Sequence, residues 1–155
     1  MLELFERLEA TALGTTIRDS LWLFPVIEAA HLLGLALLGG ALLAVDLRLL
    51  GAGLRARPLS YVARQVDPLL AAAVSLLIAT GVPLFLSEAV KCYWSDAFRL
   101  KIAALAVALA FTFGVRRRVV RGDPEPAAWK ARTVALCSIA LWLTVAASGR
   151  WIGFS

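Results

Sequence analysis

Sulfur and imidazole are scarce in this sequence: its 155 residues include two cysteines, one methionine and one histidine. Cys92 and Cys137 fall in different segments with no paired spacing, which excludes a disulfide framework and a zinc site. Copper favours thioether, thiolate and imidazole ligands, and Met1 and His31 alone supply no relay of them. Nor can two imidazoles of one subunit bracket a haem iron. Charge is thin as well, at 17% of residues against about 25% in soluble domains. The nucleophile elbow, the phosphate-binding glycine loop and the dinucleotide fingerprint are all missing. No catalytic residue is therefore assigned, and catalysis without a bound cofactor is not expected.

What fills the chain is apolar. With 61% hydrophobic residues and a mean hydropathy of +0.80, it is neither a disordered tail, nor a collagen, nor a secreted disulfide scaffold. About 80 residues suffice for four membrane-spanning helices of about 20. The expectation is an all-α, polytopic membrane protein: one up-down four-helix bundle over residues 1–155, with spans at about 21–50, 68–90, 97–115 and 128–150. Asp19-Ser20 is a candidate N-cap for the first span, Asp67-Pro68 opens the second, and Ser95-Asp96 opens the third. Arg116-Arg117-Arg118 is expected to stop the third, and Gly122-Asp123-Pro124-Glu125-Pro126 to separate it from the fourth. Thr80-Gly81-Val82-Pro83 should bend the second helix, because Pro83 removes an amide donor.

The net charge of +5 sits at the ends of these runs, so it sets orientation and gives no reason to expect nucleic acid as a partner. Arg48, Arg55, Arg57, Arg64, Arg116, Arg117, Arg118, Arg121, Lys130 and Arg132 fall on one side. Acidic residues offset the bases of the other side, and Glu3, Glu6 and Glu9 give the N-terminus the wrong sign for a signal peptide. The N-terminus is therefore expected to be retained. Both termini and the Lys91–Asp96 loop are expected to face away from the cytoplasm. Trp22, Tyr93, Trp94 and Trp151 would form the aromatic belt there, with Trp129 at the opposite interface.

Alternating the helices up and down then gathers Glu28, His31, Glu88, Arg99, Lys101 and Arg150 at one depth. An intramembrane charge costs at least about 2.5 to 3.5 kcal/mol at a helix centre, so such a gathering marks a ligand or cofactor site. Mutual neutralisation that pins the helices would explain the same pattern, and the two readings stay open. Glu28 and His31 stand three apart on one helical face. The carboxylate could fix the imidazole tautomer, leaving His31 as the one candidate metal ligand. A di-iron centre would need a second Glu-x-x-His pair, which the chain lacks. Gly34, with Ala30, Gly39 and Gly40, leaves room for close helix packing or for a flat group beside the histidine.

Trp22-x-Phe24-Pro25-x-x-Glu28-x-x-His31-x-Leu33-Gly34-Leu35, followed by Val45-Asp46-Leu47-Arg48-Leu49-Leu50-Gly51, resembles the bacterial family called domain of unknown function 6644. The similarity runs on through Thr80-Gly81, Ser87-Glu88, Tyr93, Phe98-Arg99-x-Lys101 and Gly149-Arg150-Trp151-Ile152. It implies a small four-helix protein of the bacterial inner membrane with no established activity, and with the orientation expected from charge both termini would then be periplasmic. The layout is more distantly similar to copper-resistance D-type proteins and haem-dependent bacterial protoporphyrinogen oxidases, with His31 at the early histidine and Lys101 at the later lysine. Three functions follow as expectations. The first is binding of haem b or a quinone for membrane electron transfer, with His31, Glu28, Arg150, Lys101, Arg99 and Glu88 as the binding set. The second is a non-catalytic subunit or assembly partner, docking on another membrane protein or a second copy through Ala71, Ala72, Ala73, Ser75, Ala103, Ala104, Ala106, Ala108 and Ala110. The third is small-ion or copper transport.

Overall fold

A computed structural model describes residues 1–53, 56–122 and 125–152. Arg55, Asp123 and Pro124, which entered the charge count and the linker above, lie outside the described residues. The described chain is helical throughout, without a strand. Two short helices, α1 (Leu2–Glu9) and α2 (Ala12–Asp19), precede the long α3 (Leu23–Leu50) and α4 (Leu59–Ser87). A short α5 (Ala89–Trp94) leads into α6 (Asp96–Phe111), which continues through a π-helical turn (Thr112–Arg116) into α7 (Arg117–Arg121). The last helix is α8 (Ala128–Ile152). Four stretches are long and apolar enough to cross a membrane: Leu23–Leu50, Leu59–Ser87, Asp96–Arg121 and Ala128–Ile152. The protein is a multi-pass membrane protein built as an all-α four-helix bundle.

Two span boundaries differ from the sequence expectation. The second span begins at Leu59, so Asp67 and Pro68 lie inside it. Glu125 caps this earlier start, its Oε1 accepting from Leu59 N at 3.0 Å and from Arg48 Nη2 at 3.0 Å. The third span runs on to Arg121, past the arginines expected to end it. Its buried residues Ala104, Ala108, Thr112 and Arg116 are spaced by four, and each such step overshoots a 3.6-residue turn by about 40°. The wider π turn takes up that drift and keeps Arg116 inside the bundle. Elsewhere local signals hold. Ser20 Oγ accepts from Leu23 N at 3.2 Å, Ser95 Oγ accepts from Phe98 N at 3.2 Å, and Gly51 ends α3 at φ 75°, where a side chain would be strained. Across the Thr80–Pro83 segment α4 stays helical to Ser87.

Helix α3 packs against α4 and α8, and α8 packs against α6. Helix α4 meets α7 near the arginine-rich end, and its side chains reach α6 at the Phe85–Phe98 ring pair near the other end, while the two backbones stay apart. Three apolar clusters fill the interior. Val45, Leu49, Val62, Val120 and Val134 lie toward the arginine-rich end, Leu38, Ala41, Leu42, Leu70 and Ala73 in the middle, and Ala104, Ala108 and Val145 beside Trp142. Leu33, Ile78, Val107 and Leu143 point outward, as expected where lipid is the solvent. Trp22, Trp94 and Trp151 are exposed at one end of the spans and Trp129 at the other. The alanine-rich stripe divides: Ala73, Ala104 and Ala108 are interior, whereas Ala71, Ala72, Ala103, Ala106 and Ala110 face outward.

The short helices close the end that carries the termini. Thr11 Oγ1 caps α2 by accepting from Gly14 N, and α2 then lies so near α4 that a Cβ on Gly14 would sit 2.6 Å from Leu86 O. Glu9 takes Arg18 on one carboxylate oxygen at 2.8 Å and the Val90 amide on the other at 2.7 Å. Phe5 packs edge-on to Phe85 and against Tyr93. The first 19 residues thereby brace α5 and the end of α4, which frame the cavity described next.

Candidate functional site

A cavity of about 410 Å3 opens in the half of the bundle nearest the termini. Helix α3 contributes Phe24, Glu28 and His31; α4 contributes Gly81 and Phe85; α6 contributes Phe98 and Lys101; α8 contributes Gly149 and Arg150. Glu88 and Cys92 complete it from the α4–α5 junction. Five of the six residues singled out in the sequence thus line one space. Arg99 does not: it turns outward to Asp96 at 3.2 Å and to the Tyr93 carbonyl at 3.0 Å.

His31 is held by α4. Its Nδ1 lies 2.8 Å from Thr80 Oγ1, and Thr80 Oγ1 lies 2.7 Å from the Leu76 carbonyl oxygen. A carbonyl oxygen only accepts, so the single hydroxyl proton of Thr80 goes to Leu76. Thr80 therefore accepts from His31 Nδ1–H. The neutral imidazole then keeps its lone pair on Nε2, the nitrogen left for a ligand. Glu28, expected from spacing to set this tautomer, sits exposed on the rim of the cavity, and Thr80 takes that role.

The ring depends on a glycine. A Cβ on Gly81 would come within 3.3 Å of His31 Cε1, so the bare backbone at 81 lets the Nδ1–Cε1 edge of the imidazole approach α4 closely enough to reach Thr80. Phe85 and Phe98 stack at 5.5 Å with an interplanar angle of 11° to form an aromatic wall. The stem of Lys101 runs past Gly149, whose Cβ would touch it at 3.5 Å. Burial pushes the Cys92 thiol up to about 11, and the nearby Glu88 carboxylate adds to the shift. Cys92 is therefore a protonated wall residue at neutral pH. Among the described residues no group of three His, Cys, Asp or Glu is placed to hold a metal ion.

A second polar cluster lies toward the arginine-rich end. Asp46, 1% exposed, accepts from Arg116 Nε at 2.9 Å and from Ser138 Oγ at 2.7 Å. Arg116 Nη2 donates to the Leu42 carbonyl at 3.0 Å. One turn away Trp142 Nε1 donates to Thr112 Oγ1 at 3.1 Å. The cluster ties α3, the π turn and α8 together. The apolar cluster around Leu38, Leu42 and Ala73 stands between it and His31. The sequence carried a signal for it: a carboxylate between Val45 and Leu47 needs a cation inside the bundle. Arg116 hid as that cation because it heads a run of arginines.

No curated protein and no solved structure matches the chain. The pattern that holds the cavity spans the first to the last described helix, and residues 4–155 match a family described as one of unknown function: the chain belongs to that family, DUF6644.

Proposed function

We propose that the cavity around His31 binds the head group of a lipid-soluble quinone on the periplasmic side of a bacterial inner membrane, in the service of membrane electron transfer. The observation that carries this reading is the Thr80-fixed imidazole, whose Nε2 lone pair is left for a ligand beside Lys101 and a stacked phenylalanine wall. A quinone, when bound, supplies two-electron, two-proton chemistry. The chain binds and orients it. His31 Nε2 accepts from a hydroquinone hydroxyl, Lys101 donates to a quinone carbonyl, and Phe85 and Phe98 cover a ring face. The cavity, at about 410 Å3, falls in the range that takes a small-molecule head group, roughly 300 to 1,000 Å3. Leu32 and Ala146 on its rim are exposed on the outer surfaces of α3 and α8, a path for an isoprenoid tail into lipid.

Haem b is the second reading. It is favoured by the anchored Nδ1–H, the arrangement that orients a metal-ligating imidazole, and by two cations, Lys101 and Arg150, lining the same cavity for its propionates. With one histidine in the chain, its sixth position would be open or filled from elsewhere.

Titration of the purified protein in neutral detergent with decylubiquinone and its hydroquinone, followed by calorimetry, tests the proposal. Saturable binding that weakens at least tenfold in His31→Ala and Lys101→Gln supports it. Absence of saturable binding by the unmodified chain overturns it, and a Soret band in the purified protein that vanishes in His31→Ala moves the site to haem.

A further inference from the structure

Between α4 and the π turn with α7 lies a second cavity, of about 510 Å3, on the arginine-rich half of the bundle. Its α4 wall descends from Asp67 through Leu70 and Ala71 to Val74 and Ser75, and its other wall from Arg121 and Arg117 through Arg116 to Phe113 and Thr112. Both series repeat at three and four residues, so each is one face of a helix. The groove is therefore graded along its length. Charged groups gather where the spans end, and small or apolar groups lie deeper.

Charge decides what fits. Arg116 is neutralised by Asp46, and Arg121 is paired with Asp67. Three arginines face two carboxylates, which leaves one positive charge, and Arg117 carries it with no ion-pair partner among the described residues. Arg116 uses Nε on Asp46 and Nη2 on Leu42, so its Nη1 donors remain for a ligand. A phosphodiester brings one negative charge and several acceptor oxygens, matching that surplus. The apolar stretch beyond, floored by Ala71 and Ser75, is parallel to the spans and has room for an acyl chain. Phe113 is 45% exposed at its edge, so the groove is continuous with the bilayer.

We infer that this groove is a binding site for one anionic phospholipid, its phosphate between Arg117 and Arg116 and an acyl chain along Leu70, Val74 and Phe113. Basic pockets between spans on the cytoplasmic side suit such headgroups. The π turn builds the site, because the residue it adds turns Arg116 inward while Arg117 and Arg121 stay on the groove.

Native mass spectrometry of the full chain in non-ionic detergent, titrated with phosphatidylglycerol, phosphatidylcholine or inorganic phosphate, tests this. The expected result is one phosphatidylglycerol retained per chain at concentrations where phosphatidylcholine is lost. Arg117→Gln should cut retention about tenfold, the weight of a charge-assisted contact, while Arg118→Gln, beside it but outside the groove, leaves it unchanged. Ala71→Phe, which fills the groove from an exposed position, should abolish retention with the charges intact. Equal retention of the two lipids, equal loss in Arg117→Gln and Arg118→Gln, or unchanged retention in Ala71→Phe overturns the assignment. So does displacement of the lipid by equimolar inorganic phosphate, which would make this a site for the free anion.

Discussion

Thr80 holds His31 at 2.8 Å through Nδ1 because the threonine's own proton is committed to the Leu76 carbonyl. The pairing spans 49 positions and joins α3 to α4. It converts a lone imidazole into one with a defined free nitrogen.

Thr80→Val keeps the shape and removes the acceptor. Affinity for the hydroquinone should fall roughly fivefold, the weight of one net hydrogen bond of about 1 kcal/mol, with helicity unchanged. Thr80→Ser should restore it. Calorimetric titration of the three proteins decides the matter, and identical affinities would remove Thr80 from its positioning role.

Gly81→Ala sets two effects against each other. A helical alanine gains up to about 1 kcal/mol over glycine, while the new Cβ would sit 3.3 Å from His31 Cε1 and push the ring by a few tenths of an ångström. Thermal stability in detergent should stay level or rise while ligand affinity drops several-fold. Weakening of both together would mean that the helix, not the ring, absorbs the methyl.

Asp46 and Arg116 form a buried pair whose halves are not separately dispensable. Asp46→Ala should cost about 3 to 5 kcal/mol by leaving the arginine uncompensated, whereas Asp46→Leu combined with Arg116→Met should recover most of that loss. Ser138→Ala should cost nearer 1 kcal/mol. Denaturant titrations of these variants measure the differences, and additive losses in the double variant would contradict the coupling.

Cys92 reports on the cavity. With Cys137→Ala as background, alkylation of Cys92 should be slow at neutral pH and keep rising about tenfold per unit until the thiol ionises at about 11. Glu88→Gln removes a charge that disfavours the thiolate and should speed alkylation at fixed pH. Bound decylubiquinone should protect. A rate that levels off below pH 9 would show the thiol is not buried as described.

Long apolar runs, capping serines and clustered arginines were enough to specify four spans and their alternation, but the second starts nine residues before its expected opening and the third ends six residues after its expected close. Those signals are local: each reflects hydration of side chains or of a helix terminus. Where the expectation slipped, a distant group intervened. Glu125 lets α4 begin at Leu59 ahead of Pro68, and the inward pull on Arg116 carries the third span through a π turn. The convergence of Glu28, His31, Glu88, Lys101 and Arg150 followed from helix direction and residue depth alone, because up-down alternation fixes depth. Rotation about each helix axis is another matter. It set Arg99 on the outside, chose Thr80 over Glu28 as the partner of His31, and brought Asp46 to Arg116 across 70 positions. The sequence by itself determined which segments enter the bilayer and at what depth each charge lies, since those follow from transfer out of water one residue at a time. Only the tertiary structure decided which side chains face one another, because that depends on how four helices share a small interior.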